Sequence, residues 1–225
     1  MKNLILLFFS ALAWGCCETP KHEISLRPSE YVTTLVGTQS DYSLSTGNTY
    51  PAVALPWGMN FWTPQTGKMG DGWAYTYGSH TIRGLKQTHQ PSPWINDYGQ
   101  FSIMPVRGKD KVDENARQSW FSHQSETAKP YYYSVYLADH DVVAEMAPTD
   151  RAAVLRFTFP EGEQSRIQID LARRVGGTAE RQYIEVVDKH TIAGWMKCTP
   201  ATGGWGNGEG QADYTVYFYA QVDKP

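Results

Sequence analysis

The segment from Gly70 to Tyr98 concentrates the residue types that could do chemistry in this chain. It sets aromatic rings and imidazoles beside carboxylates, among glycines and prolines that shape turns. Its members are Trp73, Tyr75, Tyr77, His80, His89 and Trp94, with Asp71 and Asp97 close by. Aromatic rings stack on the apolar C–H face of a pyranose, and short polar groups bind its hydroxyls. This content is typical of a sugar site, and the competing interpretation is an aromatic turn region that closes one end of a β fold.

Carboxylates for hydrolysis are present, but no motif assigns them a role. Glycoside hydrolysis needs two carboxyl groups that flank the scissile bond, one of them acting as the acid. The candidates by residue type are Asp71, Asp97, Asp139, Asp141 and Glu145. Carboxylates near β turns usually cap turns or face solvent, so we assign no catalytic residue within this chain.

Other site chemistries lack their signatures. The glycine-rich run from Gly203 to Gly210 has no Lys-Ser/Thr ending, so it is not a phosphate-binding loop. No Gly-x-Ser-x-Gly motif indicates a serine nucleophile. The chain has 3 cysteines, none paired at the spacing of a zinc site, and a net charge of -3, which leaves no basic surface for nucleic acid.

The N-terminus has the pattern of an export signal. Lys2 precedes an apolar run from Leu4 to Trp14 that is too short to span a bilayer, and Cys16 follows at once. We predict a lipoprotein signal peptide over 1–15, lipidation at Cys16, a polar tether over 16–28 and one folded domain over 29–225. The alternatives are lipidation at Cys17 or a plain secretory signal; in either case the mature protein is exported.

The second half of the chain alternates between apolar and polar residues with the period of a β-strand. The pattern is clear over 153–159, 167–171 and 216–221, and shorter versions cover 131–137 and 142–146. Residues 183–187 and 191–196 flank Asp-Lys-His and predict a hairpin. Many short strands with few helix candidates favour an all-β, antiparallel two-sheet sandwich.

Three ordered motifs resemble the N-terminal domain of glycoside hydrolase family 92, from about Tyr31 to the end of the chain. The first is Tyr50–Met59, followed by Thr63-Pro64. The second runs from Gly72-Trp73 through Tyr75 and Tyr77 to Ile82-Arg83-Gly84-Leu85. The third is Thr88–Gly99, followed by Met104-Pro105. The family consists of exo-acting, calcium-dependent α-mannosidases.

The resemblance implies a β-sandwich (supersandwich-like) that packs on a helical (α/α) barrel catalytic domain. The family's acid, base and calcium ligands are expected from that C-terminal domain, so we expect this chain to be a fragment that binds no metal and is inactive alone. The implied enzyme removes terminal mannose from glycans with inversion, most commonly at α-1,2 linkages. It would be anchored by lipid to the outer membrane, at the cell surface or on the periplasmic face.

The resemblance also places substrate-binding residues in the second and third motifs. Trp94 would be the stacking platform, His89 would hydrogen-bond a hydroxyl, Asp97 would accept from a hydroxyl or orient His89, and Trp73 would line the same pocket. His89 and Asp97 could instead serve the fold, as a structural histidine and a turn residue. The segments Gln39–Asn48 and Ser92-Pro93-Trp94 depart from the family pattern, which leaves the linkage open. A non-catalytic carbohydrate-binding lipoprotein and a purely structural sandwich are the alternative functions.

Overall fold

The chain is described by a computed structural model over residues 27–39, 49–55, 58–67, 75–88, 101–108, 111–162, 164–171, 182–198 and 214–224. Short 3-10 helices span Pro28–Tyr31 and His123–Ser125, and one short α-helix, α1, spans Glu114–Arg117. The strands are β1 (Phe61–Gln65), β2 (Thr81–Ile82), β3 (Gly84–Thr88), β4 (Phe101–Arg107), β5 (Ser119–Trp120), β6 (Thr127–Lys129), β7 (Tyr132–Leu137), β8 (Val142–Pro148), β9 (Ala153–Thr158), β10 (Ser165–Leu171), β11 (Gln182–Asp188), β12 (Thr191–Cys198) and β13 (Tyr214–Gln221).

The strands form antiparallel sheets, which confirms the all-β prediction. The first sheet has 4 strands in the order β1-β3-β4-β10, and the second has 4 in the order β6-β7-β8-β9. The third sheet has 3 strands, β11-β12-β13, and a ribbon of 2 strands pairs β2 with β5. Each strand predicted from period-two alternation is present, and the predicted hairpin is β11–β12.

The two four-stranded sheets share one apolar core. Leu85 and Ile103 lie opposite each other in the first sheet, and they belong to the same buried cluster as Val135, Ala144 and Met146 of the second. Strand alternation supplies these residues, because every second side chain of β7 and β8 points inward. Phe218 of β13 packs on Phe101 with ring centroids 5.6 Å apart, which joins the third sheet to this core.

The other face of the first sheet is buried as well, although it is polar. Gln65, Lys86 and Ser102 are fully buried, and the Ser102 hydroxyl donates to Gln65 Oε1 at 3.0 Å. The buried Arg117 of α1 extends this polar layer, with Nη1 donating to Asp170 of β10 at 2.6 Å. Burial of polar groups is tolerated here because they have hydrogen-bond partners.

The first motif of the sequence supports the core. Val53 is fully buried and bridges to Trp62 of β1, with backbone hydrogen bonds of 2.9 Å in both directions. The chain then turns so tightly that the Gly58 amide donates to the Ala54 carbonyl at 2.9 Å. A Cβ atom at Gly58 would lie 2.1 Å from that carbonyl oxygen, so only glycine fits the motif here.

The third sheet leaves much of its surface exposed. Along β11 every residue after Gln182 is exposed, and Val186 keeps 75% of its surface accessible. Tyr217 and Tyr219 on β13 are 74% and 66% exposed. Among the described residues no helix has the length and apolar character needed to cross a membrane.

Candidate functional site

The predicted sugar-contact residues Trp73, His89, Trp94 and Asp97 lie outside the described residues, as does the lipidation site Cys16. Their roles therefore stay predictions. The residues on either side of them are described, and these show how the fold holds each segment.

One end of the first sheet holds the segment that contains His89, Trp94 and Asp97. Residues 89–100 connect Thr88, the last residue of β3, to Phe101, the first of β4, and these strands are hydrogen-bonded neighbours. Phe61 pairs with Thr88, and Leu171 pairs with Phe101, so all four residues lie at this end. The first motif also arrives here, because Asn60 immediately precedes β1 and its Oδ1 accepts from Trp62 Nε1 at 2.9 Å. The chain that follows the first motif and the residues that flank the 89–100 segment thus lie at the same end of the sheet.

The residues that flank Trp73 lie at the opposite end of the same sheet. The chain leaves β1 at Gln65, and after the Trp73 segment the Thr76 amide donates to Thr66 Oγ1 at 2.9 Å. Gln65 and Phe61 are the two ends of β1, and at roughly 3.4 Å per residue this separates the two sets of flanking residues by about 14 Å. The residues that flank Trp73 and those that flank the 89–100 segment thus lie at opposite ends of the first sheet.

A buried carboxylate anchors the residues that follow Trp73. The Glu126 side chain is 0% exposed and accepts hydrogen bonds from three donors. Tyr75 Oη donates to it at 2.9 Å, Tyr133 Oη of β7 at 2.7 Å, and His123 Nδ1 lies 2.7 Å from Oε2. We call these four residues the Glu126 cluster; it fixes the second motif to β7 and to the 3-10 helix before β6.

Both ring nitrogens of His123 face oxygen atoms. Nε2 lies 2.6 Å from the Tyr77 carbonyl oxygen, which can only accept, so Nε2 donates there. Nδ1 lies 2.7 Å from the Glu126 carboxylate. These two contacts hold the imidazole between the second motif and the buried carboxylate.

The tyrosines of the cluster remain hydrogen-bond donors at any physiological pH. Burial raises the pKa of the Tyr75 hydroxyl, and the charge of Glu126 raises it further. The same two causes, in the same order, raise the pKa of Tyr133 well above its ordinary value. Neither hydroxyl is available as a general base, and both serve the cluster as hydrogen-bond donors to Glu126.

Three of the carboxylates considered as catalytic candidates, Asp139, Asp141 and Glu145, lie in the β7–β8 hairpin, and each has a hydrogen-bond partner within the fold. Glu145 pairs with Arg156 and accepts from Tyr132 Oη at 2.6 Å; its pKa is lowered, chiefly by the hydrogen bond from Arg156 and then by that from Tyr132. Asp139 accepts from the Trp120 amide at 2.7 Å, and Asp141 accepts from Tyr136 Oη at 2.8 Å. These contacts fix the β7–β8 hairpin and its neighbours.

A cleft of about 910 Å³ lies between β10 and the residues around α1. It is lined by charges of both signs, but its acidic groups are engaged. Asp113 caps α1 by accepting from two backbone amides at 2.9 Å, and Asp170 and Glu114 both pair with Arg117. Within the described part of the chain, no three histidine, cysteine or acidic side chains converge to hold a metal ion.

Sequence reasoning missed His123 and Glu126. Their signal was a His-x-x-Glu spacing directly after Ser122, whose hydroxyl caps the 3-10 helix by accepting from the Gln124 amide at 3.2 Å. That spacing places both side chains on one side of a helical turn. The sequence does not show that Glu126 is buried against Tyr75 and Tyr133, which come from two other segments.

The chain matches the model of the glycosyl hydrolase family 92 N-terminal domain over residues 31–225. Among solved structures it is similar to an inverting mannosidase of family GH92 from Bacteroides thetaiotaomicron, with 37% identity, a TM-score of 0.61, and coverage of 89% of this chain and 30% of that one. It is also similar to a GH92 α-mannosidase from the same organism, with 30% identity, a TM-score of 0.70, and coverage of 87% and 26%. The same mannosidase is solved in complex with mannoimidazole.

This chain therefore spans less than a third of the length of those solved relatives. No curated protein matches it.

Proposed function

The chain belongs to glycoside hydrolase family 92 as an N-terminal domain, and on that premise we propose that it is the substrate-facing domain of an exported α-mannosidase. The enzyme removes terminal mannose from glycans with inversion, and the proposed linkage is α-1,2. The observation that carries the proposal is the match over residues 31–225, joined to 37% identity with an inverting mannosidase.

In this proposal the domain lines the pocket and does not cleave the bond. Trp94 stacks on the sugar, His89 and Asp97 bind its hydroxyls, and Trp73 lines the wall. The described framework supports such a role for three of them, because Thr88 and Phe101, which flank the 89–100 segment, belong to hydrogen-bonded neighbouring strands. Fixed ends limit the conformational freedom that a segment loses when it binds a ligand.

The acid and the base belong, in this proposal, to a further domain of the longer enzyme. Hydrolysis with inversion needs two carboxyl groups far enough apart to admit a water molecule. Glu126, Glu145, Asp139 and Asp170 are each engaged by hydrogen bonds inside this fold. Calcium, where the whole enzyme binds it, would help to distort the sugar, and we propose that its ligands lie in that further domain.

We propose that the mature protein is exported and anchored to the outer membrane by lipid on Cys16. Labelled palmitate and detergent partition test this on Cys16→Ala and Cys17→Ala variants. Lipidation lost only in Cys16→Ala supports the assignment. Lipidation lost only in Cys17→Ala would assign the lipid to Cys17. If the wild type takes up no label, the N-terminus is a plain secretory signal.

Hydrolysis of an α-mannobiose panel, with calcium and with chelator, tests the enzymatic proposal. The 225-residue chain is assayed beside a version extended through any downstream coding sequence. Activity only in the extended, calcium-loaded protein supports the proposal. Activity in the shorter chain would mean that its own carboxylates are catalytic, and sugar binding without hydrolysis in both would favour a non-catalytic binding protein.

A further inference from the structure

Tyr77 is an exposed aromatic residue whose position is fixed on several sides. Tyr77 keeps 41% of its surface accessible. Its amide donates to the Thr38 carbonyl at 3.1 Å, and its own carbonyl accepts from His123 Nε2 at 2.6 Å.

One face of the Tyr77 ring is covered. The His123 imidazole stacks on it with centroids 4.0 Å apart and planes 9° from parallel. Because that face is occupied, the exposed area of Tyr77 belongs to the opposite face and the ring edge.

The support beneath Tyr77 is rigid. His123 is held by the fully buried Glu126, which Tyr75 and Tyr133 hold in turn. Phe121 meets the imidazole edge-on with centroids 5.1 Å apart. The free face of Tyr77 is thus presented in one orientation before any ligand arrives, which lowers the entropic cost of binding.

Polar residues surround the stacked pair of Tyr77 and His123. Gly78 and His80 follow Tyr77 in the chain, Gln124 and Ser125 follow His123, and all four are exposed. The His80 ring centroid lies 5.5 Å from that of His123. A protein partner would be met by an apolar patch around the aromatic residue, whereas a single ring among imidazole, amide and hydroxyl groups matches a pyranose. The C–H face of the sugar takes the ring, and the polar rim takes the hydroxyls.

We propose that Tyr77 is a sugar-stacking residue, with His80 as a hydrogen-bond partner for a hydroxyl at the edge of the bound pyranose. The inference rests on the proposed function and adds a contact outside the four residues named there. It also gives His123 and Glu126 a purpose, as positioning residues that hold the stacking ring.

Titration of this chain with methyl α-mannoside and α-1,2-mannobiose, followed by ligand-observed NMR, tests the assignment. Tyr77→Ala should weaken binding by about tenfold, while Tyr77→Trp should keep it, because indole offers a larger face. Tyr136→Ala is the matched control: Tyr136 is 39% exposed, and its hydroxyl bonds Asp141 in the β7–β8 hairpin. Its affinity should stay at the wild-type value.

Three outcomes would overturn the assignment. If the wild type binds the sugars and Tyr77→Ala binds them equally well, Tyr77 is not a sugar-stacking residue, and the proposed function is unaffected. If the wild-type chain binds neither sugar while an extended protein hydrolyses mannobiose, the role of Tyr77 is again refuted and the proposed function is supported. A Tyr77→Ala change that lowers hydrolysis by the extended protein but not sugar binding by this chain would identify Tyr77 as a contact to another domain.

Discussion

At the scale of single residues, the fold assigns protonation states through hydrogen bonds. His140 is fully buried in the β7–β8 hairpin, where Nε2 donates to the Arg117 carbonyl at 2.7 Å and Nδ1 accepts from the Arg107 amide at 3.3 Å. Only the neutral ring makes both bonds. The surroundings of His123 differ, since both of its ring nitrogens face oxygen atoms.

His140 should make the stability of the chain depend on pH. Burial lowers its pKa below the ordinary 6.5; the charges of Lys111 and Arg107 lower it too, while the hydrogen bond to the Arg117 carbonyl and the charge of Asp139 oppose them. Below about pH 6.5 the unfolded chain binds a proton that the folded chain excludes, so the free energy of unfolding falls there as pH decreases. Above that pH the group contributes no slope.

Urea unfolding at pH 7.5 and 5.5 measures this effect. From pH 7.5 to pH 5.5, we expect the free energy of unfolding to fall by about 1 kcal/mol more for the wild type than for a His140→Gln variant. His190→Gln is the control, because His190 is exposed and sits in the β11–β12 turn. If the free energies of unfolding of the His140→Gln and wild-type chains depend on pH in the same way, His140 is not buried as a neutral imidazole.

Glu126→Gln should destabilise the fold while nearly preserving shape. The amide loses the charge that pairs with His123, and the hydrogen bonds from two tyrosines weaken, so the free energy of unfolding should fall by about 1.5–3 kcal/mol. Glu145→Gln should cost about 1 kcal/mol or less, since its partner Arg156 is 72% exposed. Chemical denaturation ranks the two variants; equal losses would contradict the special role of Glu126.

At the scale of elements, period-two alternation predicted strands well where one face meets the core. Strands β9, β10 and β13 and the β7–β8 and β11–β12 hairpins lie where the sequence indicates. The first sheet was harder, because β1, β3 and β4 bury both faces and one of those faces is polar. A buried Lys86 or Gln65 interrupts the apolar pattern that a strand prediction relies on.

The candidate site was predictable in part, for a similar reason. The motifs located the segments that carry aromatic and imidazole groups, since those residue types are visible in the sequence. Their pairing across the fold depends on long-range contacts: Tyr75 and Glu126, or Tyr77 and His123, are brought together only by tertiary packing. No local spacing encodes such pairs.

Gly194 of β12 is required by its neighbours across the third sheet. A Cβ atom there would lie 2.4 Å from the Phe218 ring and 2.4 Å from the Tyr183 carbonyl oxygen. Gly194→Ala should therefore lower the free energy of unfolding by about 1–3 kcal/mol through overpacking. Thermal unfolding checks this beside Ala193→Ser, on the other face of the strand; an unchanged midpoint for Gly194→Ala would refute the close packing.

At the scale of the whole molecule, the third sheet carries several large exposed apolar residues. Val186, Tyr217 and Tyr219 keep 75%, 74% and 66% of their surface accessible, and β11 lies at the sheet edge. Unpaired edges and apolar faces of this kind promote association. The solved relatives are about three times as long, so their chains have further residues available to cover such a face.

The isolated chain should self-associate through the third sheet as its concentration rises. A Tyr217→Thr, Tyr219→Thr double variant removes the aromatic area but keeps strand propensity, and it should stay monomeric at higher concentration than the wild type. Light scattering after size exclusion measures the mass. Val112→Thr, at a residue that is 76% exposed away from this sheet, is the control. A wild type that is monomeric throughout would contradict the expectation.

The position of residues 89–100 between two adjacent strands makes this fold suited to accepting different segments there. Its ends are fixed by the pairing of β3 with β4, so a replacement segment inherits the same two anchor points. Lengthening a closed connection is inexpensive, about 0.6 kcal/mol for each doubling. A single scaffold can therefore host a repertoire of grafted segments, and libraries built at this position would diversify specificity without redesigning the sheets beneath.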